Sequence, residues 1–88
     1  MLICFTPLAF EDYRFWAEQD RRMLKRLNRL IEDCRRSPFA GLGKPEPLRN
    51  EFSGFWSRRI DEEHRLVYRV DGDGDDQRLM IVQCRYHY

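Results

Sequence analysis

The 88-residue sequence contains only three cysteines and has no long apolar run. Cys4, Cys34 and Cys84 are odd in number and widely spaced, without a C-x-x-C pair, so they match neither a full disulfide framework nor a zinc pattern. We therefore expect buried thiols in a reducing compartment. The apolar start "MLICFTPLAF" lacks the basic region of a signal peptide. Because no apolar stretch approaches the roughly 18 residues of a membrane span, we expect a cytoplasmic protein with no membrane contact.

Lysine is also scarce, since Lys25 and Lys44 are the only lysines among 16 basic residues and the other 14 are arginines. The net charge of +1 predicts no particular partner by itself. The charges are segregated, however, because seven basic residues lie between Arg21 and Arg36 against Glu32 and Asp33. Arginine presents a planar donor set that suits phosphate. The segregation indicates a basic side of the molecule, although an ordinary solvated helix face explains the same run.

Two adjacent helices are predicted in the first half of the chain. A short strand, "MLICFT", precedes Pro7, which fits the first turn of a helix. Its apolar face is predicted from a period of three to four residues in Ala9, Tyr13, Trp16 and Ala17. Asp20 is placed to cap a second helix, which should end at Ser37. The apolar face of that helix comprises Met23, Leu24, Leu27, Leu30, Ile31 and Cys34.

The second half of the chain reads as a loop followed by three strands. Glycines and prolines interrupt any periodicity in "PFAGLGKPEPL", which predicts a loop. "FWSRRID", "HRLVYRV" and "RLMIVQCRYHY" are rich in β-branched and aromatic residues, and "DGDGDD" joins the last two as a hairpin loop. A chain this short forms one core, so residues 1–88 are expected to be a single domain. The predicted class is α+β, with two N-terminal helices packed on a mainly antiparallel sheet of four to five strands.

Strand alternation places basic side chains on one face of this sheet. Successive side chains point to opposite faces, so Arg65 and Arg69 lie opposite the apolar row that begins at Leu66. Extended to the neighbouring strands, the alternation gives a face carrying Arg59, Arg65, Arg69, Arg85 and His87. Arginines with a histidine can bind a phosphodiester and supply a proton. Tyr88 falls on the other side by strict alternation.

No pattern of metal ligands or of a serine nucleophile is present. There is no H-x-H or H-E-x-x-H, and Val82 stands where an EF-hand beginning at Asp71 needs its closing glutamate. We therefore expect no metal and no cofactor. Metal-free RNA cleavage remains as a hypothesis, with Glu46, flanked by prolines, as the base. The alternatives are an ordinary loop carboxylate for Glu46 and an incidental terminal residue for His87.

Four motifs, "GKPEPL", "SGFWSRRI", "EEHRLVY" and a terminal "CRYHY", occur in this order. With the "FWAEQDRR" helix junction they resemble the YoeB toxins of the RelE/ParE superfamily over nearly the whole chain. The resemblance implies a RelE-like microbial ribonuclease fold and a ribosome-dependent endoribonuclease that cuts messenger RNA in the decoding site. It implies a base at Glu46, a transition-state arginine at Arg65, a general acid at His87 and a shaping role for Tyr88.

The same resemblance implies RNA contacts at Arg49 and Arg59, and the basic run adds Arg22, Lys25, Arg26 and Arg29 as candidates. Position 49 is usually lysine in the relatives, and the "DGDGDD" loop is longer than expected. The implied partners are the ribosome, messenger RNA, a cognate antitoxin of the Phd/YefM type and a second copy of the chain. Two other functions stay open, a gyrase-directed toxin of the same superfamily and a catalytically inert RNA- or antitoxin-binding module.

Overall fold

Side-chain caps fix the start of both helices. The structure, a computed structural model, describes residues 1–86. Helix α1 spans Pro7–Gln19, and Thr6 Oγ1 accepts the Ala9 N–H over 3.2 Å. Helix α2 spans Arg21–Arg36, and Asp20 accepts the N–H groups of its second and third residues. The predicted proline start, the Asp20 cap and the end at Ser37 are all confirmed.

Five strands form one sheet behind the two helices. They are β1 (Leu2–Phe5), β2 (Glu46–Pro47), β3 (Trp56–Arg59), β4 (Arg65–Asp71) and β5 (Arg78–Gln83). Their order across the sheet is β1-β5-β4-β3-β2, and the β1–β5 pairing is parallel while the other pairings are antiparallel. The predicted α+β class with a mainly antiparallel sheet is confirmed.

Two details of the strand prediction are wrong. Strand β2 lies inside the segment predicted to be a loop, where Leu48 N–H donates to Phe55 O over 2.9 Å and continues the pairing with the next strand. Strand β5 ends at Gln83, so the segment "CRY" that follows it lies outside the regular strand. Side chains from α1 bind its backbone at Cys84, as described below, and one backbone hydrogen bond to β4 remains, from Arg65 N–H to Tyr86 O.

The hydrophobic core lies between the helices and one sheet face. Its fully buried members include Leu27 and Leu30 from α2, Leu66 and Tyr68 from β4, and Leu79 from β5. The predicted row from Leu66 therefore faces the helices. Ala17, predicted on the apolar face of α1, is exposed. No helix in the described part of the chain is both long and apolar enough to cross a membrane.

Candidate functional site

The sheet face that the helices leave uncovered carries the candidate residues of strands β2 to β4. Glu46 pairs with Ser57, and Ser57 pairs in turn with Val67, so these residues form a row across three strands. Two residues along the strands, and on the same face, Arg59 stands directly opposite Arg65. Glu46 and Arg59 are diagonal neighbours, about 7–8 Å apart at the backbone. The structure thus brings Glu46, Arg59 and Arg65 onto one face.

The backbone around Glu46 is fixed by a close approach of two chain segments. Arg59 N–H donates to Gly43 O over 2.7 Å, which extends the β2–β3 pairing. Gly43 has φ +77°, and a Cβ there would lie 2.9 Å from both Arg59 O and Leu30 Cδ2. Only glycine adopts this conformation and fits this space without strain. Gly43 therefore sets the path of the chain three residues before the carboxylate.

A buried arginine on the other face of β3 organises the preceding loop. Arg58 is fully buried and donates from Nε to Tyr68 Oη over 3.0 Å and from Nη1 to Asp33 Oδ2 over 2.6 Å. Its remaining hydrogen bonds, at 2.6–3.0 Å, go to the carbonyl oxygens of Ser37, Ala40 and Leu42. Sequence reasoning missed this residue. The available signal was strand alternation, which places Arg58 on the same face as Trp56 and Ile60 and so puts a charge on the core face.

Asp33 completes this network from helix α2. Its Oδ2 accepts the Leu42 N–H over 2.9 Å as well as the Arg58 guanidinium. These hydrogen bonds, from Leu42 first and then from Arg58, hold the pKa of the Asp33 carboxyl below its usual range. The loop that leads to Glu46 is therefore tied to both a helix and a strand.

Arg65 is the half-buried member of the open face. Its Nη1 donates to the carbonyl oxygens of Asp61 and His64, over 3.2 and 3.4 Å, and the hydrogen bonds of its side chain within residues 1–86 all start from this nitrogen. The guanidinium is thus positioned by the turn before β4. Glu46 and Arg59, in contrast, are exposed to solvent. A planar cation with several donors is suited to a phosphate oxygen.

Arg49 lies beyond the end of β2, where it precedes a short 3₁₀ turn at Asn50–Phe52. It is exposed, and the structure places it three residues along the chain from Glu46. Its backbone carbonyl accepts the Phe52 N–H over 3.1 Å, which fixes the turn. Arg49 is therefore near Glu46 along the chain, and the structure records no contact of its side chain with the open face within residues 1–86.

The basic residues of α2 form a separate surface. The helix packs on the opposite side of the sheet from Glu46, through Leu27, Leu30, Ile31 and Cys34. Its exposed cations are Arg22, Lys25, Arg26 and Arg29. Arg26 also donates from Nε to Ile60 O. The structure does not bring these four residues together with the open face.

The prediction that Arg85 shares the open face is wrong. Because β5 has ended, its guanidinium lies over the Phe15 ring of α1, 3.5 Å from the ring centre. Helix α1 also binds the backbone of the preceding residue, since Trp16 Nε1 donates to Cys84 O over 2.8 Å and Asp12 accepts the Cys84 N–H over 3.1 Å. The proposed acid His87 and the neighbouring Tyr88 lie outside the described residues.

The cysteines are free thiols, as expected, and two of the three are buried. Burial raises the pKa of Cys34 to about 11 and that of Cys84 to about 12, so neither is a thiolate near neutral pH. Cys4 is only half-buried, which differs from the expectation. Within residues 1–86, no group of three or more histidine, cysteine or acidic side chains could hold a metal ion.

Comparison with known proteins gives consistent matches over the whole chain. The family described as "YoeB-like toxin of bacterial type II toxin-antitoxin system" matches residues 5–88. The toxin YoeB of Streptomyces coelicolor is 60% identical over 88 residues, which cover 100% of both chains. The YoeB/ParE toxin from Agrobacterium tumefaciens has 53% identity and a TM-score of 0.96, again with 100% of both chains covered.

Two structures from Staphylococcus aureus contain related chains in assemblies. One is a YoeB dimer, 44% identical with a TM-score of 0.88, which covers 100% of this chain and 98% of that one. The other is a heterotetrameric YoeB-YefM toxin-antitoxin complex, also 44% identical with a TM-score of 0.87, covering 100% and 99%.

Proposed function

Since the chain belongs to the YoeB family of type II toxin-antitoxin toxins, we propose that it is an endoribonuclease that cleaves messenger RNA in the ribosomal A site and thereby inhibits translation. The observation that supports this proposal is the pairing of Arg59 with Arg65 beside Glu46 on the sheet face opposite the helices. Two facing cations have no structural benefit by themselves. They are suited to an anionic ligand, and a phosphodiester is the anion that a ribonuclease must bind.

In this proposal Glu46 removes the proton of the 2′-hydroxyl, which then attacks the neighbouring phosphate. Arg65 stabilises the negative charge that develops on the phosphorane, and Arg59 and Arg49 bind the flanking phosphates. Arg65 suits this role because the turn carbonyls orient its guanidinium before RNA arrives. A preorganised donor needs no rearrangement when the charge appears.

We assign the general acid to His87 and a positioning role to Tyr88. Protonation of the leaving 5′ oxygen completes a cleavage that needs neither a metal nor a cofactor. The arginines of the face disfavour a protonated imidazole, whereas a bound phosphate favours it. The acid is therefore most effective when RNA is in place, and the ribosome supplies that placement.

The exposed cations of α2 are proposed to contact ribosomal RNA on the other side of the molecule. A second copy of the chain and a YefM-type antitoxin are the proposed protein partners, supported by the two assemblies of the Staphylococcus aureus relatives. Because its proposed substrate is messenger RNA bound to a translating ribosome, we place the protein in the cytoplasm.

The test is single-turnover cleavage of a programmed ribosome, with the product ends analysed chemically. We expect a 2′,3′-cyclic or 3′-phosphate and a free 5′-hydroxyl, and we expect cleavage to persist in EDTA when polyamines keep the ribosome intact. Glu46→Gln and His87→Gln should each lower the rate by roughly 10²–10⁴-fold. The matched control is Glu51→Gln, an exposed carboxylate in the adjoining turn, which should cut at the rate of the unaltered protein. Products with 5′-phosphate ends would contradict the proposed attack by the 2′-hydroxyl.

The proposed role of α2 is tested by reversing two of its charges, Lys25→Glu and Arg29→Glu together. Ribosome affinity should fall and should depend less steeply on salt, because fewer counterions are released on binding. The cleavage position should not change. An unchanged affinity and salt slope would mean that these cations form only a solvated surface.

A further inference from the structure

Both backbone groups of Tyr86, its N–H and its carbonyl, form hydrogen bonds with the start of β4: with Arg65, its first residue, and with His64 just before it. The Tyr86 N–H donates to Nδ1 of His64 over 2.7 Å, and the Tyr86 carbonyl accepts the Arg65 N–H over 3.0 Å. Arg65 is the proposed transition-state arginine, and Tyr86 is bonded directly to the proposed acid, His87. The dipeptide His64–Arg65 therefore connects the proposed transition-state arginine to the residue that precedes the proposed acid.

His64 is rigidly positioned to make this bond. It is 8% exposed, and its ring packs edge-on against the Trp16 ring with 4.8 Å between centres. Asp61 Oδ1 accepts the His64 N–H over 2.7 Å and so fixes the turn on which the residue lies. The Tyr86 ring covers another side of the imidazole, at 5.3 Å. A buried ring between two aromatic side chains has little freedom to turn away from its partner.

Tyr86 has a backbone conformation that needs such a restraint. Its φ is +63°, in the left-handed region that a bulky residue rarely adopts. Unfavourable conformations of this kind persist only where the surroundings enforce them, and they are common at functional sites. The bonds from His64 and Arg65 are the enforcing contacts. Without them the chain after β5 would relax to an extended conformation and leave the residues that follow in another direction.

We propose that His64 is a positioning residue for cleavage, which acts as a hydrogen-bond acceptor that fixes the direction of the chain at Tyr86 and so aims the general acid. This inference rests on the proposed function, because it assigns the acid to the residue after Tyr86. His64 does not contact RNA. Its effect is on the rate of the cleavage step and not on ribosome binding.

The bond requires a neutral imidazole with Nδ1 unprotonated, because a protonated ring has no acceptor. The single proton of the neutral ring is therefore assigned to Nε2, which lies 3.7 Å from Glu63 Oε1.

The experiment compares His64→Asn with His64→Leu in the single-turnover ribosome assay. Asparagine places Oδ1 where the Nδ1 acceptor lies and does not titrate, whereas leucine fills the space without an acceptor. We expect His64→Leu to cut about 10–100-fold more slowly with unchanged ribosome affinity, which is the scale of a misplaced catalytic group. We expect His64→Asn to retain most of the rate. Equal rates for His64→Leu and the unaltered protein would overturn the proposal.

A second measurement tests the attachment without using cleavage. At neutral pH, hydrogen exchange at the Tyr86 amide should be slow in the unaltered protein and in His64→Asn, and fast in His64→Leu, while the Tyr68 amide of the core strand β4 stays protected in all three. If the Tyr86 amide exchanges equally in the unaltered protein and in His64→Leu, His64 does not restrain the segment. Should the unaltered protein fail to cut RNA, the proposed function falls, while the exchange result still decides whether the attachment exists.

Discussion

Arg59 and Arg65 stand directly opposite each other on adjacent strands, with their side chains on the face of the sheet opposite the helices. Like charges in this position repel and destabilise the pairing. The sheet keeps the pair because hydrogen bonds to the turn carbonyls orient one of the two guanidinium groups. The free protein is therefore expected to gain stability from any anion that lies between them.

This repulsion predicts that inorganic phosphate raises the melting temperature of the protein. Arg59→Gln should melt at or slightly above the temperature of the unaltered protein in low salt, because it removes the repulsion, and it should respond less to phosphate. The control is Arg14→Gln, which alters an exposed arginine on α1 whose 3.6 Å contact with Glu18 contributes little. An identical phosphate response in all three proteins would show that the pair binds no anion. Melting curves at several phosphate concentrations give the comparison.

Arg58 is expected to be essential for folding although it lies next to a replaceable arginine. Arg58→Ala removes the partner of Asp33 and Tyr68 and of three loop carbonyls, so the free energy of unfolding should fall by about 3–5 kcal/mol. Arg58→Lys should lose most of that as well, because an ammonium cannot reach so many acceptors in one plane. Urea denaturation measures both. Arg59→Lys is the matched control and should leave the free energy of unfolding within about 0.5 kcal/mol.

The Asp33 carboxylate predicts a loss of stability in acid. Its folded-state pKa lies below the usual value of 3.8, so its contribution is fully present above that pH and is lost as the pH falls through the folded-state pKa. Asp33→Asn should lower the free energy of unfolding at pH 7 by about 1–3 kcal/mol. The gap between the variant and the unaltered protein should narrow below about pH 4. Urea denaturation at several pH values tests this, and a gap that stays constant down to pH 2 would contradict it.

Gly43 should tolerate no side chain, and a comparison with Gly54 separates the effect of the close approach from that of the positive φ. Gly43→Ala places a Cβ 2.9 Å from Arg59 O and Leu30 Cδ2 in addition to the strain of a positive φ. At Gly54 the φ of +96° is equally unsuited to alanine, but nothing lies within 4 Å of a Cβ there. We therefore expect Gly43→Ala to destabilise the protein more than Gly54→Ala and to slow cleavage by displacing Glu46. Equal melting temperatures for the two variants would show that the close approach at Gly43 relaxes without cost.

The features that the sequence predicted correctly depend on local chemistry. Pro7 and Asp20 mark the starts of the two helices through interactions with residues close to them in sequence. The alternation in β4 likewise places Leu66 and Arg65 on opposite faces. The strand prediction extended too far at Arg85, because the end of β5 depends on Trp16 and Asp12, which are distant in sequence. A period of two residues contains no information about such partners.

Arg58 illustrates the same limit for the site. Strand alternation places Arg58 on the core face, but the acceptors that make its burial possible come from a helix, a loop and a neighbouring strand, which the sequence around it does not reveal. Glu46 was predicted to lie in a loop because a two-residue strand has no recognisable period, and its pairing with β3 is visible only in three dimensions. The charged groups of the open face were predictable, and the network that supports them was not.

The position of β5 between β1 and β4 has a consequence for how the chain is made. In the described part of the chain, strand β1 pairs only with β5, so Cys4 obtains its strand partner only when Met80, 76 residues later, is available. Contacts at such separation close slowly, because a long loop must be ordered first. A nascent chain that lacks β5 therefore has an open sheet and an incomplete core. The ribosome that synthesises this protein must finish residues 78–83 before the sheet can close. Incomplete chains should therefore be degraded by proteases and should have no nuclease activity.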